Sequence, residues 1–155
     1  MSDTAAARLN MVEGQIRTNK VTDNRIVAAM AAVPREIFVP KALAGVAYID
    51  EDIPIAPGRY LLEPLVLARL LQAAEIKEDD VVLDVGCGTG YSTAILARLA
   101  AVVVALEDNT NLAEGATDKL AELGADNAAV LGGKLPEGVP DQGPYDVVVI
   151  NGSIE

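Results

Sequence analysis

The feature that most limits how this chain can fold is a glycine-rich turn between an apolar run and a segment with helical periodicity. The run Val81–Val85 reads VVLDV, residues 86–90 read GCGTG, and residues 91–100 carry apolar side chains at helical spacing. Glycine permits a sharp turn at the end of a strand, and it lets a ligand approach the backbone beside the start of a helix. A turn in this strand–helix context predicts a binding site for a nucleotide-like ligand.

The alternation of apolar runs and helical segments continues towards the end of the chain. Further apolar runs lie at residues 101–106, 128–131 and 146–150, and residues 110–123 show helical spacing with Gly124 as a terminator. Apolar residues make up 51% of the chain but aromatic residues only 3%, so Ala, Val, Leu and Ile must build the core. This pattern predicts an α/β fold with an open, doubly wound, mostly parallel Rossmann-like sheet and right-handed crossovers.

The first sixty residues follow a different pattern, which predicts a helical N-terminal extension. Helices are expected over residues 5–16 and from a cap at Thr22 or Asp23 to about Ala32, and a third over residues 62–75. The proline-rich residues 34–58 predict turns and short extended pieces. We therefore expect one structural domain, with the extension and a substrate loop in residues 1–60 and a cofactor-binding core in residues 61–155.

Composition excludes several classes of function. The chain has 12 Lys and Arg residues against 23 Asp and Glu, a formal charge of -11 that repels phosphate backbones and anionic membranes. Without His and with a single Cys, it has no His-based catalytic dyad, multi-ligand zinc site or internal disulfide. No apolar run reaches the length of a bilayer span, and the start lacks a signal pattern. We expect a soluble, cytoplasmic protein with no nucleic-acid, membrane or metal partner.

The residues around the glycine turn narrow the choice of ligand. Tyr91 stands where a dinucleotide fingerprint requires Gly or Ala, which disfavours an NAD-dependent oxidoreductase, and no Lys follows the turn as in a phosphate-binding loop. Asp84 precedes Gly86 and could attract an ammonium group, while Glu107 ends the next strand and could accept hydrogen bonds from both ribose hydroxyls. A ribose with a charged amino-acid tail indicates S-adenosylmethionine. The alternative is a tight strand–helix connection with no ligand.

Several further segments carry a resemblance to one enzyme family. They are MVEGQI at residues 11–16, VTDNRI at 21–26, AMAAVPREIFVP at 29–40, AYID at 47–50, IPI at 53–55 and GPYD at 143–146. With the glycine turn, they make the sequence resemble class I S-adenosylmethionine-dependent methyltransferases and, more narrowly, the protein-L-isoaspartate O-methyltransferase family over essentially the whole chain. The N-terminal segments are the specific part, because the glycine turn is common to many methyltransferases.

The resemblance implies an activity. Family members use S-adenosyl-L-methionine to methylate the carboxylate of isoaspartyl residues in damaged proteins, which begins protein repair through a succinimide, so isoaspartyl-containing proteins or peptides are the implied partners. Because the acceptor is already an anion, the reaction needs positioning and desolvation more than acid–base catalysis. The alternative is an S-adenosylmethionine-binding protein of the same fold with a different acceptor or no isoaspartyl activity.

The sequence departs from the family pattern at three places. The loop at residues 58–64 reads GRYLLEP where the family reads GQTISQP, so Tyr60 replaces a Thr and Leu62 replaces a Ser at the reacting centre. Gly132, Gly133 and Lys134 follow the third strand where the family has G-D-G, whose Asp meets the adenine. Family members also continue beyond the fourth strand, so we expect a domain that is incomplete at Glu155 and can self-associate through that strand's edge.

The predicted site residues form two groups. On the substrate side, Arg59 is predicted to pair with a carboxylate and Tyr60 to donate a hydrogen bond, the alternative being an exposed loop arginine and a packed tyrosine. The predicted cofactor-binding residues are Asp84, Gly86, Cys87, Gly88, Gly90, Glu107, Asp108 and Gly133. For Cys87 the alternative is a small packed residue, and for Asp108 a solvated turn residue.

Overall fold

The computed structural model describes residues 3–153 of the chain, and the described residues form two compact units. The first unit ends at Glu75 and the second begins at Ile76. The boundary lies after the third α-helix and not at residue 60, because Gln72 of that helix is bonded to the other residues of the first unit. Its side chain accepts hydrogen bonds from the backbone N–H groups of Thr22 and Asp23 and donates one to the carbonyl of Lys20.

The first unit is mainly helical, as the sequence predicts. Helix α1 (Asp3–Met11) continues into a π-helical turn, so the expected helix over residues 5–16 is present but is α-helical only as far as Met11. Helix α2 (Asn24–Ala32) begins after Asp23, whose side chain accepts a hydrogen bond from the N–H of Arg25 and so confirms the predicted cap. Helix α3 (Pro64–Ala73) has its proline in the first turn, where no N–H is needed.

The proline-rich region of the first unit contains 3-10 turns and an antiparallel hairpin. The turns span Arg35–Phe38 and Lys41–Val46, and strands β1 (Ile53–Ala56) and β2 (Arg59–Leu61) follow. In the hairpin, Ile53 pairs with Leu61 and Pro54 with Tyr60. The sequence predicts extended pieces up to residue 58 but misses β2, because three residues are too few to show a period of two.

The second unit is a parallel four-stranded sheet with helices between its strands. The elements are β3 (Val81–Val85), α4 (Tyr91–Ala97), β4 (Val102–Glu107), α5 (Thr110–Glu122), β5 (Ala128–Gly132) and β6 (Val147–Ile150). The spatial order is β5-β4-β3-β6, and every neighbouring pair is parallel. The predicted α/β fold is confirmed. Because the order reverses at β3, the carboxyl end of this strand is the position where such sheets bind ligands.

Burial follows position in the sheet. The interior strands β3 and β4 keep Val82, Val103 and Ala105 fully buried, as expected for strands covered on both faces. Strand β6 lies at an edge of the sheet of the described residues, as expected, and Val148 is 53% exposed there while Val149 is buried. Within residues 3–153, none of the helices combines the length and the apolar character that crossing a membrane requires.

Helices α4 and α5 approach each other closely at the glycine turn. Gly90 caps the N-terminus of α4 with a φ of 100°, a conformation that L side chains rarely adopt. A Cβ atom at this position would lie 3.0 Å from the Cβ of Ala116 and 3.3 Å from its Cα. Glycine at position 90 is therefore required by the packing of α5 as well as by the backbone.

We expect Gly90→Ala to destabilise the protein by about 2–4 kcal/mol, because left-handed strain and overpacking against Ala116 add together. The matched control is Gly124→Ala, where φ is also positive (67°) but the space around a Cβ is open, so only about 1–2 kcal/mol is expected. Urea unfolding of both variants measures the difference. Equal losses in the two variants would show that the contact with Ala116 contributes nothing.

Candidate functional site

The glycine turn is built on the neighbouring strand. The N–H groups of Gly86 and Cys87 both donate to the carbonyl of Leu106 in β4, at 2.8 and 3.2 Å, and the N–H of Gly90 donates back to the carbonyl of Cys87 at 3.0 Å. Gly86, Gly88 and Gly90 all have positive φ angles, of 70°, 60° and 100°. The sharp turn expected at Gly86 is present. At Gly90, however, the expected space for a ligand is occupied by Ala116, so helix packing explains that glycine.

Glu107 joins the glycine turn to the carboxyl end of β4. Its side chain is 1% exposed, and its Oε2 accepts a hydrogen bond of 2.7 Å from the backbone N–H of Gly88. Its Oε1 accepts one of 3.1 Å from the N–H of Asn109. The sequence places Glu107 at the end of β4 correctly, but its bond to the turn was not foreseen.

Asp84 is a fully buried carboxylate that joins three elements of the second unit. Its Oδ2 accepts hydrogen bonds of 2.8 Å from the hydroxyls of Ser92 and Thr93 in the first turn of α4. Its Oδ1 accepts one of 2.6 Å from the side-chain amide of Asn151, directly after β6. These bonds hold α4 and the end of β6 against β3, where the strand order reverses. Sequence reasoning missed Ser92 and Thr93, although two adjacent hydroxyls after the glycine turn were a visible signal.

The environment of Asp84 changes its acidity. Burial raises the pKa of the Asp84 carboxyl to about 6, and the negative charge of Glu107 acts in the same direction. The hydrogen bonds from Ser92, Thr93 and Asn151 stabilise the charged form and oppose this rise. The burial effect is the larger one, so the folded state holds the Asp84 proton more tightly than the unfolded chain does.

The other predicted cofactor residues follow the carboxyl ends of three strands, with Cys87 after β3, Asp108 after β4 and Gly133 after β5. Cys87 is buried and packs against Ala105 and Ala116, as the alternative of a small packed residue expects. The N–H of Gly133 donates to the carbonyl of Glu107 at 3.2 Å, and Asp108 is exposed in the turn after β4.

A hydroxyl in the glycine turn is left without a partner. The Oγ1 atom of Thr89 is buried, and no hydrogen bond to it exists among residues 3–153. Buried polar atoms are normally satisfied, so an unpaired one in a turn of this kind fits a site that receives a polar ligand. Sequence reasoning did not select Thr89, since only tertiary burial distinguishes it from an exposed turn residue.

The predicted substrate-side residues lie on β2 in the first unit. Tyr60 is 59% exposed, which contradicts the alternative of a packed tyrosine, and Arg59 is half-buried rather than exposed. Both residues belong to β2 of the antiparallel hairpin. Among the residues that the structure describes, no group of three or more Cys, Asp or Glu residues is arranged to hold a metal ion.

Comparison with known proteins assigns the family. The model of the protein-L-isoaspartate(D-aspartate) O-methyltransferase family matches residues 7–154. The chain belongs to this family. It is 41% identical over 143 residues to a protein-L-isoaspartate O-methyltransferase of Methanoculleus marisnigri, with 92% of this chain and 65% of the relative covered. It is 40% identical over 150 residues to a protein-L-isoaspartate O-methyltransferase of Koribacter versatilis, with 97% of this chain and 68% of the relative covered. The chain thus spans about two thirds of the length of these curated relatives.

Solved structures agree with this family assignment. A protein-L-isoaspartate O-methyltransferase superposes with a TM-score of 0.79 at 26% identity, covering 92% of this chain and 47% of the other. A Plasmodium falciparum chain of the same family name, solved in complex with S-adenosyl-L-homocysteine, superposes with a TM-score of 0.73 at 19% identity. This superposition covers 97% of this chain and 73% of the other. At 19% identity, the second superposition shows a shared fold and no more. The family resemblance and the Rossmann-like methyltransferase fold predicted from the sequence are confirmed.

We predict a pH dependence of stability that Asp84 alone produces. Its folded pKa of about 6 lies above the ordinary aspartate value of 3.8, so the native state binds more protons between these values and stability falls as pH rises through them. Asp84→Asn removes this titration. The unfolding free energy of the wild type minus that of the variant should therefore fall by about 1 kcal/mol from pH 5 to pH 7.

Urea unfolding at several pH values measures this difference, with Asn111→Gln as the control. Asn111 is exposed on α5 and neither side chain is titratable, so this substitution should give a difference that does not change over the same range. If the Asp84 difference is also flat between pH 5 and pH 7, the carboxyl is not perturbed as described.

Proposed function

We propose that the protein transfers a methyl group from S-adenosyl-L-methionine to the carboxylate of L-isoaspartyl residues in damaged proteins or peptides. The observation that carries the proposal is the bond between Gly88 and the buried carboxylate of Glu107, in a chain of this family. It holds an acceptor for ribose hydroxyls beside a glycine turn at the carboxyl end of a parallel strand.

The residues present fit the proposed cofactor. The buried carboxylate of Glu107 lies beside the turn at the carboxyl end of β4, and Thr89 has a buried hydroxyl for which residues 3–153 supply no hydrogen-bond partner. Gly86 and Gly88 supply backbone at the turn, and Asp108 and Gly133 follow the adjacent strands, where the adenine would lie. The three hydrogen bonds of Asp84 favour an indirect part for this residue, in which it holds α4 and Asn151 in place.

The chemistry asks little of the protein beyond positioning. When bound, S-adenosyl-L-methionine supplies a methyl group on a sulfonium sulfur, a good leaving group. The acceptor carboxylate is an anion and requires no general base, which agrees with a chain that lacks His. Arg59 would pair with a substrate carboxylate, and Tyr60 would donate a hydrogen bond. Orientation and exclusion of water would supply most of the rate acceleration.

A second candidate is a protein of the same fold that uses a different acceptor. The observation that favours it is the loop at residues 58–64, where the exposed Tyr60 and the aliphatic Leu62 stand in place of the family's two hydroxyl residues. The lack of a nucleic-acid partner, suggested by the charge of -11, belongs to the proposal as well, and so does a cytoplasmic location. Self-association through β6 stays a prediction.

We expect Glu107→Ala to weaken the binding of S-adenosyl-L-homocysteine by about 1–3 kcal/mol, because a ribose loses hydrogen bonds to a charged group. Isothermal titration calorimetry measures the affinity, and thermal unfolding checks that the turn still folds without the bond to Gly88. Glu114→Ala, at an exposed position on α5, removes the same charge and should bind as the wild type does. Unchanged affinity in the folded Glu107 variant would remove this residue from the site.

We expect the full-length protein to methylate an isoaspartyl peptide and not its aspartyl twin. Replacing Tyr60 by Thr and Leu62 by Ser together should raise turnover, because Thr keeps a hydroxyl donor at position 60 in the family's form and Ser restores the hydroxyl that is missing at position 62. A radiometric assay with labelled S-adenosyl-L-methionine measures the transfer, and Val66→Thr, at an exposed position on α3, serves as the control. The assignment to isoaspartyl repair is wrong if the wild type transfers no methyl group to the isoaspartyl peptide and the double variant gains none.

A further inference from the structure

The β1–β2 hairpin is too short to define its own position. Its strands have four and three residues, and their pairing ends at Ile53 and Leu61. A two-stranded ribbon is at best marginally stable in water. The orientation of Tyr60, which is exposed on β2, therefore depends on whatever holds the open end of the hairpin.

A side-chain hydrogen bond closes this open end. Asp52 directly precedes β1, and its Oδ1 accepts a bond of 2.8 Å from the backbone N–H of Glu63, two residues after β2. The bond continues the hairpin beyond its last backbone pair. It also satisfies an N–H group at the start of α3, where helix N–H groups lack partners within the helix.

A buried arginine holds the same peptide group from its other side. Arg35 is fully buried, and its Nη2 donates a hydrogen bond of 2.8 Å to the carbonyl of Leu62. Its Nε donates one of 2.6 Å to the carbonyl of Ala47, and its backbone N–H donates one of 3.0 Å to the hydroxyl of Tyr48. The rigid fork of the guanidinium thus fixes Leu62 relative to the segment that contains Ala47.

The carbonyl of Leu62 and the N–H of Glu63 belong to one peptide group. Arg35 donates to its oxygen and Asp52 accepts from its nitrogen, so a charged side chain holds the group at each end. Hydrogen bonds to charged groups are stronger than neutral ones. This peptide is the connection through which β2 joins α3, and it cannot rotate without losing both bonds.

We propose that Arg35 and Asp52 are positioning residues for recognition of the methyl acceptor. By holding the Leu62–Glu63 peptide, they determine where β2 presents Arg59 and Tyr60. The inference rests on the proposed function, because it takes the side chains of β2 as acceptor contacts. It adds two residues that lie outside the set selected from the sequence, and neither of them needs to touch the substrate.

The test uses Asp52, because its exposed position makes substitution safer for folding than at the buried Arg35. Asp52→Ala removes the acceptor, whereas Asp52→Asn keeps an oxygen that can accept from Glu63. Asp50→Ala is the matched control, since it removes one negative charge from an exposed neighbour for which no hydrogen bond or ion pair is described within residues 3–153. The protein used is the full-length wild type and its three variants.

Two measurements report separately on the hydrogen bond between Asp52 and Glu63 and on recognition of the methyl acceptor. Hydrogen exchange reports whether the Glu63 amide is protected, and steady-state kinetics on an isoaspartyl peptide report KM and kcat. In Asp52→Ala we expect the Glu63 amide to lose protection and KM for the peptide to rise roughly three- to tenfold with little change in kcat. The affinity for S-adenosyl-L-homocysteine should not change. Asp52→Asn should recover most of the KM effect, and Asp50→Ala should match the wild type.

The outcomes distinguish this inference from the function on which it rests. If the wild type is active and Asp52→Ala loses protection at Glu63 but keeps its KM, the inference is overturned and the proposed function stands. Unchanged protection in that variant, or an equal KM effect in Asp50→Ala, overturns it as well. A wild type that does not methylate the isoaspartyl peptide overturns the proposed function, and the acceptor role of Arg35 and Asp52 with it.

Discussion

The second unit depends on one buried carboxylate that has three partners. Asp84 binds Ser92 and Thr93 of α4 and Asn151 after β6, and so joins elements on both sides of the point where the strand order reverses. A buried charge is tolerated only when it is well hydrogen-bonded, and here the bonds only partly offset the effect of burial. Burial of the Asp84 charge therefore lowers the stability of the fold at neutral pH, whereas its hydrogen bonds hold α4 and Asn151 against the carboxyl end of β3.

The glycine turn follows from the same constraint. With α4 held against β3 by Asp84, the backbone must turn within five residues, and Gly86, Gly88 and Gly90 accept the positive φ angles that this requires. Glu107 then binds the N–H of Gly88 and fixes the turn to β4. The site is thus shaped by two carboxylates with different tasks. Asp84 supports the scaffold from inside, and Glu107 is the one that we propose meets the ligand.

The first unit shows a comparable arrangement around a peptide group. Arg35 and Asp52 hold the link between β2 and α3, and this link positions a hairpin that is too short to be stable by itself. One of the departures of this chain from the family pattern lies here, at Tyr60 in β2 and at Leu62 in the link that follows it. The unusual residues thus lie next to a peptide group that two hydrogen bonds hold in place, which is consistent with altered recognition of the methyl acceptor. Experiments on the acceptor should therefore begin with this loop.

The sequence alone determined the parallel α/β fold, the family, and the place of the glycine turn and Glu107, because these depend on periodicity and on spacing within one strand–turn–helix unit. It also predicted a helix cap at Thr22 or Asp23, and the structure has it at Asp23. Only the tertiary structure showed that Asp84 binds Asn151, 67 residues away, that Gly90 faces Ala116, and that Arg35 reaches Leu62. These contacts join segments that are distant in the chain, and the packing of helices and strands decides which side chains meet. The local sequence pattern does not indicate which distant segments pack together.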